Sequence, residues 1–548
     1  MAILMRKYFL FIFILFSSTL HSQDIFDLET FRLLDRNFQN INMGTTVLRD
    51  APQVEVVPKT VKYPSSNFLT RILKSFTGDT VWFSTGTGVM RTIDGFRNYQ
   101  HYFGLEPFGE DGISGIGVTF NVVAVATSTT TEVSGDFVPT GTGIKVSTDG
   151  GTNWSSFPQP MDGMYDTTVQ YGSNILSALP VVVPQQNLSF DIAITRTKND
   201  LNNFTIWITS FAGGLRKSTD YGNSWHRVVL PPDNIDSIIP GGTYDFILDP
   251  RINLNHRAFT IEAQNDSVLY VGTANGINKS TDWGESWRKY NFGNTDPTGS
   301  GNGISGNFVT NIYVQSLFGQ PVIWAASRKA EGQLEYDAFS FTTDNGITWK
   351  STLGNIKPNN VFARDTIIYA LTDQGVWKST FGQFLWVKPG SIIDNKTNDV
   401  LRTERFFSGN YIQDTLYIGT IDGMCRTREL GTSWTDSWKI IRAIDPIELS
   451  SDIKTYAAPN PFAPDDEVTR IFYKTNKPSA KVTIKLFDFG MNQVRTIIQN
   501  ATRFGTDELF TQWDGKNDNG LQVANGVYFY RIKIDGDDEY WGKILVIQ

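Results

Sequence analysis

The 548-residue sequence has little of what metal and redox sites need: it contains one cysteine, Cys425, and four histidines. One thiol cannot form an internal disulfide, and no Cys-x-x-Cys or His-x-x-x-His pattern supplies ligands for a metal. Cys425 lies in a predicted strand, which favours a packed residue over a nucleophile. We therefore expect no metal and no cofactor.

Positive charge is also scarce. The 48 Lys and Arg residues against 56 Asp and Glu give a formal net charge of −8. Nucleic-acid binding requires basic patches, so this balance argues against a nucleic-acid partner. An aromatic content of 13%, 48 glycines and a charged content of only 19% are typical of an all-β chain with many turns.

Long apolar runs are absent beyond the N-terminus, so no transmembrane segment is expected in the mature chain. At the N-terminus, Arg6 and Lys7 precede the apolar run Tyr8–Phe16, and small residues lead to Ser22. This order is typical of a secretory signal peptide over residues 1–22, and the run is too short to span a membrane comfortably. The location expected is therefore secreted or on the outer cell surface.

The chain does contain one repeated sequence motif, Ser/Thr-x-Asp-x-Gly-x-x-Trp. Asp and Ser side chains bond to the amides of a tight turn, Gly takes the positive φ, and Trp packs beneath it. One carboxylate per loop is too few for calcium, which favours a structural turn over a metal loop. The residues predicted to form these turns are Asp94, Asp149, Gly151, Trp154, Asp220, Gly222, Trp225, Asp282, Gly284, Trp287, Asp344, Gly346 and Trp349.

Each copy follows an apolar strand, a Gly turn and a short strand, which together predict one antiparallel sheet. Counting three degenerate copies, the units end at Tyr99, Trp154, Trp225, Trp287, Trp349, Trp386 and Trp434. Repetition of this kind predicts a seven-bladed β-propeller over residues 75–445, and six or eight blades would follow if a degenerate copy is misread. Residues 23–74 are predicted to form a cap or closing segment, with residues 54–61 as an alternative source of an outer strand for the last blade.

The repeated motif resembles the Asp-box, or bacterial neuraminidase repeat. This repeat occurs in sialidases, sortilin-type receptors, xyloglucan-cleaving glycoside hydrolases and a photosystem assembly factor. The resemblance implies the propeller fold, but these relatives perform unrelated functions. The Arg-Ile-Pro start of sialidases is absent, since Asp249-Pro250-Arg251-Ile252 does not match it.

A second domain is predicted at residues 455–548. Pro459, Pro461 and Pro464 interrupt the repeat, and short alternating strands joined by Asn-Gly and Asp-Gly turns predict a small Ig-like β-sandwich. The loop from Asp514 to Gly520 has Lys516 where an EF-hand needs an oxygen ligand, which favours a hairpin turn.

The Pro-Asn-Pro-Phe start at Pro459, the turn Trp513-Asp514-Gly515 and the strand from Asn525 to Tyr530 resemble the Ig-like module related to the flagellar hook-capping protein. The same pattern forms the C-terminal sorting domain of type IX secretion, which implies that secretion machinery as a partner. Such domains often end on a basic residue, whereas this chain ends Val546-Ile547-Gln548, so a purely structural module remains the alternative.

Three hypotheses for function remain open. The first is a secreted or surface-displayed binding propeller without catalysis, the second an Asp-box-type polysaccharide hydrolase, and the third a sortilin-like peptide binder. The second needs only two carboxylates on facing loops, and the sequence singles out no catalytic residue. A glycan or protein ligand is expected to bind the long insertions, where aromatic residues including Tyr165, Tyr171, Tyr244 and Phe308 are expected to be exposed.

Overall fold

The computed structural model describes residues 52–75, 79–133, 136–396, 399–429, 431–434, 437–443, 453–464, 468–506, 508–535 and 538–547. The predicted signal peptide and residues 23–51 lie outside the described residues. The chain divides into two compact units, the first made of Met1–Val400 with Glu404–Ile441 and the second of Leu401–Thr403 with Arg442–Gln548. In the described ranges, almost all regular secondary structure of both units is β-strand, and no helix there is long and apolar enough to cross a bilayer.

The first unit begins with β1 (Gln53–Glu55) and β2 (Lys59–Val61). Sheet 1 contains β3 (Leu69–Lys74), β4 (Val81–Thr85), β5 (Gly88–Thr92) and β6 (Tyr99–His101). Sheet 2 contains β7 (Gly112–Thr119), β8 (Val122–Val133), β9 (Asp136–Ser147) and β10 (Asn153–Phe157). After β11 (Thr168–Tyr171) and β12 (Asn174–Ala178), sheet 3 contains β13 (Ser189–Thr197), β14 (Asp200–Ser210), β15 (Gly214–Ser218) and β16 (His226–Val228).

The connection to sheet 4 carries β17 (Ser237–Ile238), β18 (Ile247–Leu248) and a 3-10 helix at Leu254–His256. Sheet 4 contains β19 (Ala258–Ala263), β20 (Leu269–Thr273), β21 (Gly276–Ser280) and β22 (Trp287–Tyr290), and helix α1 (Phe292–Thr295) follows it. Sheet 5 contains β23 (Phe308–Leu317), β24 (Gln320–Arg328), β25 (Ala338–Thr342) and β26 (Lys350–Thr352).

Sheet 6 contains β27 (Pro358–Arg364), β28 (Ile367–Thr372) and β29 (Gly375–Thr380). Sheet 7 contains β30 (Phe406–Ile412), β31 (Thr415–Thr420), β32 (Gly423–Arg428) and β33 (Trp438–Ile441). In all seven sheets, neighbouring strands are antiparallel. Cys425 is buried in β32, where burial raises the pKa of its thiol.

The seven sheets form a closed ring through their first strands. The strands β3, β7, β13, β19, β23, β27 and β30 contact one another in this order, and β30 contacts β3. At the closure, Ser408 Oγ donates to the carbonyl of Leu69 at 2.9 Å, and Phe68 forms a parallel bridge with Thr420. These first strands are buried between neighbouring sheets, and polar residues such as Arg71 and Glu262 are buried in them together with the apolar ones.

The placement predicted for residues 54–61 is wrong. Strand β1 pairs with β10 in sheet 2, and β2 pairs with β6 in sheet 1. Sheet 7 needs no strand from the N-terminus because it takes all four of its strands from one continuous stretch of chain. The ring is instead closed by side-by-side contact between β30 and β3.

The second unit contains two antiparallel sheets around one apolar core. One sheet has the order β34-β35-β38, with β34 (Thr455–Ala458), β35 (Thr469–Tyr473) and β38 (Leu509–Trp513). The other has the order β37-β36-β39-β40, with β36 (Ser479–Phe487), β37 (Gln493–Phe504), β39 (Gly526–Ile534) and β40 (Asp538–Val546). Both sheets contribute buried residues to the core, including Ile471 and Trp513 from the first and Ile484 and Ile532 from the second.

Candidate functional site

The ring of the first unit has two different ends. Because consecutive strands are antiparallel, the turns between third and fourth strands lie at the end opposite to the connections between sheets. We call the end with the Asp-containing turns the Asp-turn end. The opposite end, where the first strands begin and the insertions at 158–188, 229–257 and 291–307 lie, we call the loop end.

At the Asp-turn end, the repeated residues make the same hydrogen bonds in successive sheets. Ser218 Oγ donates to Asp220 at 2.7 Å and accepts from the Gly222 amide at 2.8 Å. Asp220 also accepts from the amide of Ser224 at 2.9 Å. The turns at Asp149, Asp282 and Asp344 repeat this pattern, and Asp94 accepts from the amides of Arg97 and Asn98.

These hydrogen bonds favour the charged form of each turn aspartate. Burial alone would raise the pKa of Asp220, but the hydroxyl and amide of Ser224 and the hydroxyl of Ser218 hold it below its usual value. The pKa values of Asp94, Asp149, Asp282 and Asp344 are lowered in the same way. Each turn carboxylate therefore makes its hydrogen bonds within its own turn.

Each turn glycine also lies against an aromatic side chain of the preceding sheet. A Cβ at Gly151 would lie 2.5 Å from the Trp82 ring, and the φ of Gly151 is +91°. Equivalent close approaches join Gly222 to Phe157, Gly284 to Trp207 and Gly346 to Tyr290. The glycine is thus required twice, for its backbone conformation and for the contact between sheets.

The degenerate copies replace this contact with others. In sheet 1, Phe96 stands where the other turns have glycine, and its ring stacks on Tyr417 of sheet 7 at a centroid distance of 4.0 Å. In sheet 7, Glu429 replaces the aspartate and forms a buried ion pair with Lys378 of sheet 6 at 2.8 Å. Trp386, after sheet 6, donates to Thr352 at 2.9 Å.

Tryptophans of the repeat occupy the expected strands or the residues just before them. Trp154 and Trp287 lie in β10 and β22 and are buried, whereas Trp225 lies just before β16 and is half-buried. Trp349 precedes β26 and is buried. The Trp287 indole N–H donates to Gly284, three residues earlier, at 3.1 Å.

At the loop end, a phenylalanine cluster fills the region where the first strands begin. Its aromatic members are Phe68, Phe190, Phe259 and Phe407, with Phe211 and Phe308 partly buried at its margin. Phe259 and Phe308 approach to 4.6 Å, and Phe68 and Phe407 to 5.2 Å, between ring centroids. All seven first strands have a register shift at this level, typical of a bulge that redirects a strand.

A set of fully buried polar side chains directly follows the bulges along the first strands. Arg71 of β3 forms an ion pair with Asp191 of β13 at 2.7 Å, and both side chains have no exposure to solvent. Gly115 of the intervening strand β7 leaves room for this close approach, since a Cβ there would lie 3.0 Å from the Ser189 carbonyl. Asp191 also accepts from Thr260 Oγ1 at 2.8 Å. These contacts join three sheets.

The insertions at the loop end are held to the ring and to each other. Strand β12 pairs in parallel with β18, which joins two insertions in one small sheet. Asp162 accepts from Arg216 at 2.8 Å and from Arg227. Burial alone would raise the pKa of Asp162, but these two guanidinium groups hold it below its usual value.

The aromatic residues predicted for a binding surface have different environments. Tyr165 is 88% exposed, whereas Tyr244 and Phe308 are partly buried. The expectation that Tyr171 is exposed is wrong: it is buried, and its hydroxyl donates to the Glu285 carbonyl at 2.9 Å. The reason is that the insertions pack against sheets 3 and 4.

Carboxylates at the loop end make hydrogen bonds to nearby loops. Asp233 accepts from the amides of Leu254 and Asn255, both at 2.8 Å. Burial alone would raise the pKa of Asp373, but Lys357, whose ammonium lies 2.9 Å away, holds it low. Within the described parts of the chain, no cluster of three His, Cys, Asp or Glu side chains could hold a metal ion.

A small hollow of about 20 Å³ also lies at the loop end, lined by Leu215, Arg227, Leu230 and His256 among others. The Nε2 atom of His256 is 3.2 Å from the Leu230 carbonyl, and its Nδ1 atom has no hydrogen-bond partner in the described structure. Burial lowers the pKa of His256 to about 4, so the ring is neutral at pH 7. A volume of this size holds about one water molecule.

Sequence reasoning missed three of these features. The glycine–aromatic contacts had a signal, because Trp82 and Trp207 occupy equivalent second strands of sheets 1 and 3. The Arg71–Asp191 pair and the buried His256 had none, since the groups that they contact lie far away in sequence or outside any repeat.

No protein-family model matches the chain. A xyloglucanase from a Paenibacillus species is 22% identical over 268 residues, a match that covers 41% of this chain and 24% of that protein. The chain thus spans about a quarter of this relative's length. Among solved structures, a GH74 enzyme of Niastella koreensis is similar with a TM-score of 0.44 and 13% identity, covering 89% of this chain and 74% of that one.

A further similar structure is PorZ, described as an essential bacterial surface component of the type IX secretion system of Porphyromonas gingivalis. Its TM-score is 0.35 and its identity 12%, with 88% of this chain and 66% of PorZ covered.

Proposed function

We propose that the first unit is a seven-bladed β-propeller of the Asp-box type that binds an extracellular ligand at its loop end. The observation that carries this proposal is the ring of seven first strands, each in contact with the next, with the last in contact with the first. A closed ring gives a rigid support, and loops on rigid supports are where binding residues are usually found.

The insertions of the loop end expose more large apolar side chains than the Asp turns do, which supports the loop end as the binding surface. Tyr165, Ile175, Ile239 and Ile252 of the insertions are between 55% and 88% exposed. The Asp turns, in contrast, use their polar side chains within the turn and their glycines against the neighbouring sheet. We therefore assign the five turn aspartates a structural role.

A hydrophobic central tunnel would favour the sortilin-like hypothesis, whereas the first strands carry the buried phenylalanine cluster and the fully buried Arg71–Asp191 pair. Polysaccharide hydrolysis is the second candidate, favoured by the similarity to the Paenibacillus xyloglucanase. This similarity also makes neutral plant polysaccharides the first ligand class to test.

The full chain should be screened on a glycan array and, in parallel, incubated with xyloglucan and related polysaccharides while reducing ends are measured. We expect binding without release of reducing ends. A Tyr165→Ser variant should bind more weakly with unchanged thermal stability, and the matched variant Ile347→Ser, at the 82% exposed residue of an Asp turn, should bind normally. Release of reducing ends by the wild-type chain would favour the hydrolase.

We further propose that the second unit is an Ig-like β-sandwich that acts as a C-terminal sorting domain for type IX secretion, and that the protein reaches the outer cell surface. Its self-contained core and its two antiparallel sheets support this proposal. In a host with type IX secretion, the full chain should be found on the surface and a chain without residues 455–548 in the periplasm. Surface display of the shortened chain would contradict the sorting role.

A further inference from the structure

One face of the four-stranded sheet β37-β36-β39-β40 lies in the core of the second unit, and the opposite face does not. The core face includes Val482, Ile484, Tyr530 and Ile544, all nearly or fully buried. The strand register places the alternate residues together on the opposite face, in three neighbouring rows. The rows are Phe487–Phe529–Lys543, Lys485–Arg531–Trp541 and Thr483–Lys533–Glu539, and together they define the outer face.

The outer face exposes large aromatic side chains. Trp541 is 43% exposed and lies 5.5 Å from Phe487 between ring centroids. Phe489, in the turn after β36, is 81% exposed and extends the face beside Phe529 at 6.4 Å. The Arg531 guanidinium lies over both rings, at 5.5 Å from the Phe487 centroid and 5.7 Å from the Trp541 centroid. Contiguous exposed aromatics of this kind mark interaction surfaces.

The charge of the outer face is opposite to that of the chain as a whole. Its three rows contain four cations, Lys485, Lys533, Lys543 and Arg531, against the single carboxylate of Glu539. Glu539 lies 3.6 Å from Arg531 and 3.7 Å from Lys533, so it offsets only part of this charge. The whole chain, in contrast, has a formal charge of −8.

Aromatic residues together with arginine are enriched in protein interfaces and dominate their binding energy. The rings of Phe487 and Trp541 are inclined by 39°, and those of Phe489 and Phe529 by 37°, so they offer ridges for interdigitating side chains and no flat platform for a sugar ring. The excess of cations selects an acidic partner surface by charge complementarity.

We propose that the outer face binds an acidic, partly apolar surface of a partner protein during export, with Trp541 and Phe489 as its apolar anchors. This inference deepens the sorting role proposed above and rests on it. It assigns recognition to this face, and not to the other exposed residues of the second unit.

The test uses the full chain in a host with type IX secretion. Trp541→Ala combined with Phe489→Ser, and separately Lys485→Glu combined with Lys543→Glu, should each reduce the surface-exposed protein by about tenfold, as expected when hot-spot residues are lost. The matched controls are Leu521→Ala, at a residue that is 64% exposed in another loop, and Lys516→Glu in the turn after Trp513. Both controls should be exported normally, and purified variants should keep the wild-type melting temperature.

A chain without residues 455–548 separates the two proposals. If this deletion blocks export while the outer-face variants are exported normally, the assignment of the outer face is wrong and the sorting role stands. If the deletion itself is exported, the sorting role is wrong. Reduced export of the controls to the same degree as the outer-face variants would also overturn the assignment.

The class of partner is tested by a photo-crosslinking residue, p-benzoylphenylalanine, at position 489. A discrete protein adduct that disappears with Lys485→Glu and Lys543→Glu is expected. A periodate-sensitive carbohydrate adduct, a lipid adduct or no adduct would overturn the assignment of an acidic protein.

Discussion

The two ends of the ring are stabilised in different ways. At the Asp-turn end, several similar turns each contribute a few short-range hydrogen bonds, such as those of Ser218 and Asp220, and one glycine contact. At the loop end, single non-repeated groups such as Asp191 and Asp162 bond to several partners at once. Because the turns repeat, each of them contributes only a small part of the stability of the Asp-turn end. We therefore expect a single substitution to destabilise the protein more at the loop end.

The largest effect is expected at Asp191. Its replacement in Asp191→Ala leaves Arg71 buried without its carboxylate and removes the acceptor of Thr260, so the free energy of unfolding should fall by about 3–5 kcal/mol. Urea denaturation measures this loss. The matched control is Asp414→Ala, which breaks an exposed ion pair with Arg428 and should cost at most about 1 kcal/mol. Equal losses in the two variants would contradict the comparison.

A pH effect of intermediate size is expected at His256. Its pKa in the folded chain is lowered to about 4, below the value near 6.5 of an unfolded chain, so the unfolded state binds more protons between these values. Stability from neutral His256 is therefore complete above about pH 6.5 and is lost as the pH falls toward 4, by about 2–3 kcal/mol.

Melting temperatures measured from pH 7.5 to 4 test this expectation. A His256→Gln variant should lose less stability over this range than the wild type, and His226→Gln, at an exposed residue, serves as the control. An identical pH profile for wild type and His256→Gln would show that His256 does not account for the acid sensitivity.

At the Asp-turn end, two adjacent glycines separate the cost of backbone strain from the cost of crowding. Both Gly150 and Gly151 have positive φ, but only a Cβ at Gly151 meets other side chains, the ring of Trp82 and the guanidinium of Arg91. Gly150→Ala should cost about 1 kcal/mol, and Gly151→Ala about 1–3 kcal/mol more. If the two variants have the same unfolding free energy, the contact between sheets does not contribute.

The smallest effect is expected for one turn aspartate. Asp220→Ala removes bonds to the Ser224 amide and hydroxyl and to Ser218, and should lower the free energy of unfolding by about 1 kcal/mol. The equivalent change at Asp282 should give a similar value, because its hydrogen bonds are the same. Loss of ligand binding by Asp220→Ala without a change in melting temperature would contradict the structural role of the turn.

The sequence by itself determined the all-β class and the position of the turns, and the prediction of an all-β chain is confirmed. The reason is that these features depend on short-range contacts: the bonds of Ser218 and Asp220 join residues no more than four apart. A local hydrogen-bond pattern of this kind can be read directly from Ser-x-Asp-x-Gly, whatever the rest of the chain does.

Only the tertiary structure decided which sheets β1 and β2 join, that Tyr171 is buried, and that Arg71 pairs with Asp191. It also decided that Phe529, Arg531 and Trp541 share one solvent-facing side of a sheet. Each of these outcomes depends on residues that ring closure or strand register brings together from distant parts of the chain. Arg71, for example, also donates to the carbonyl of Phe190, 119 residues away. Such contacts leave no periodic signal in the sequence, because each occurs once.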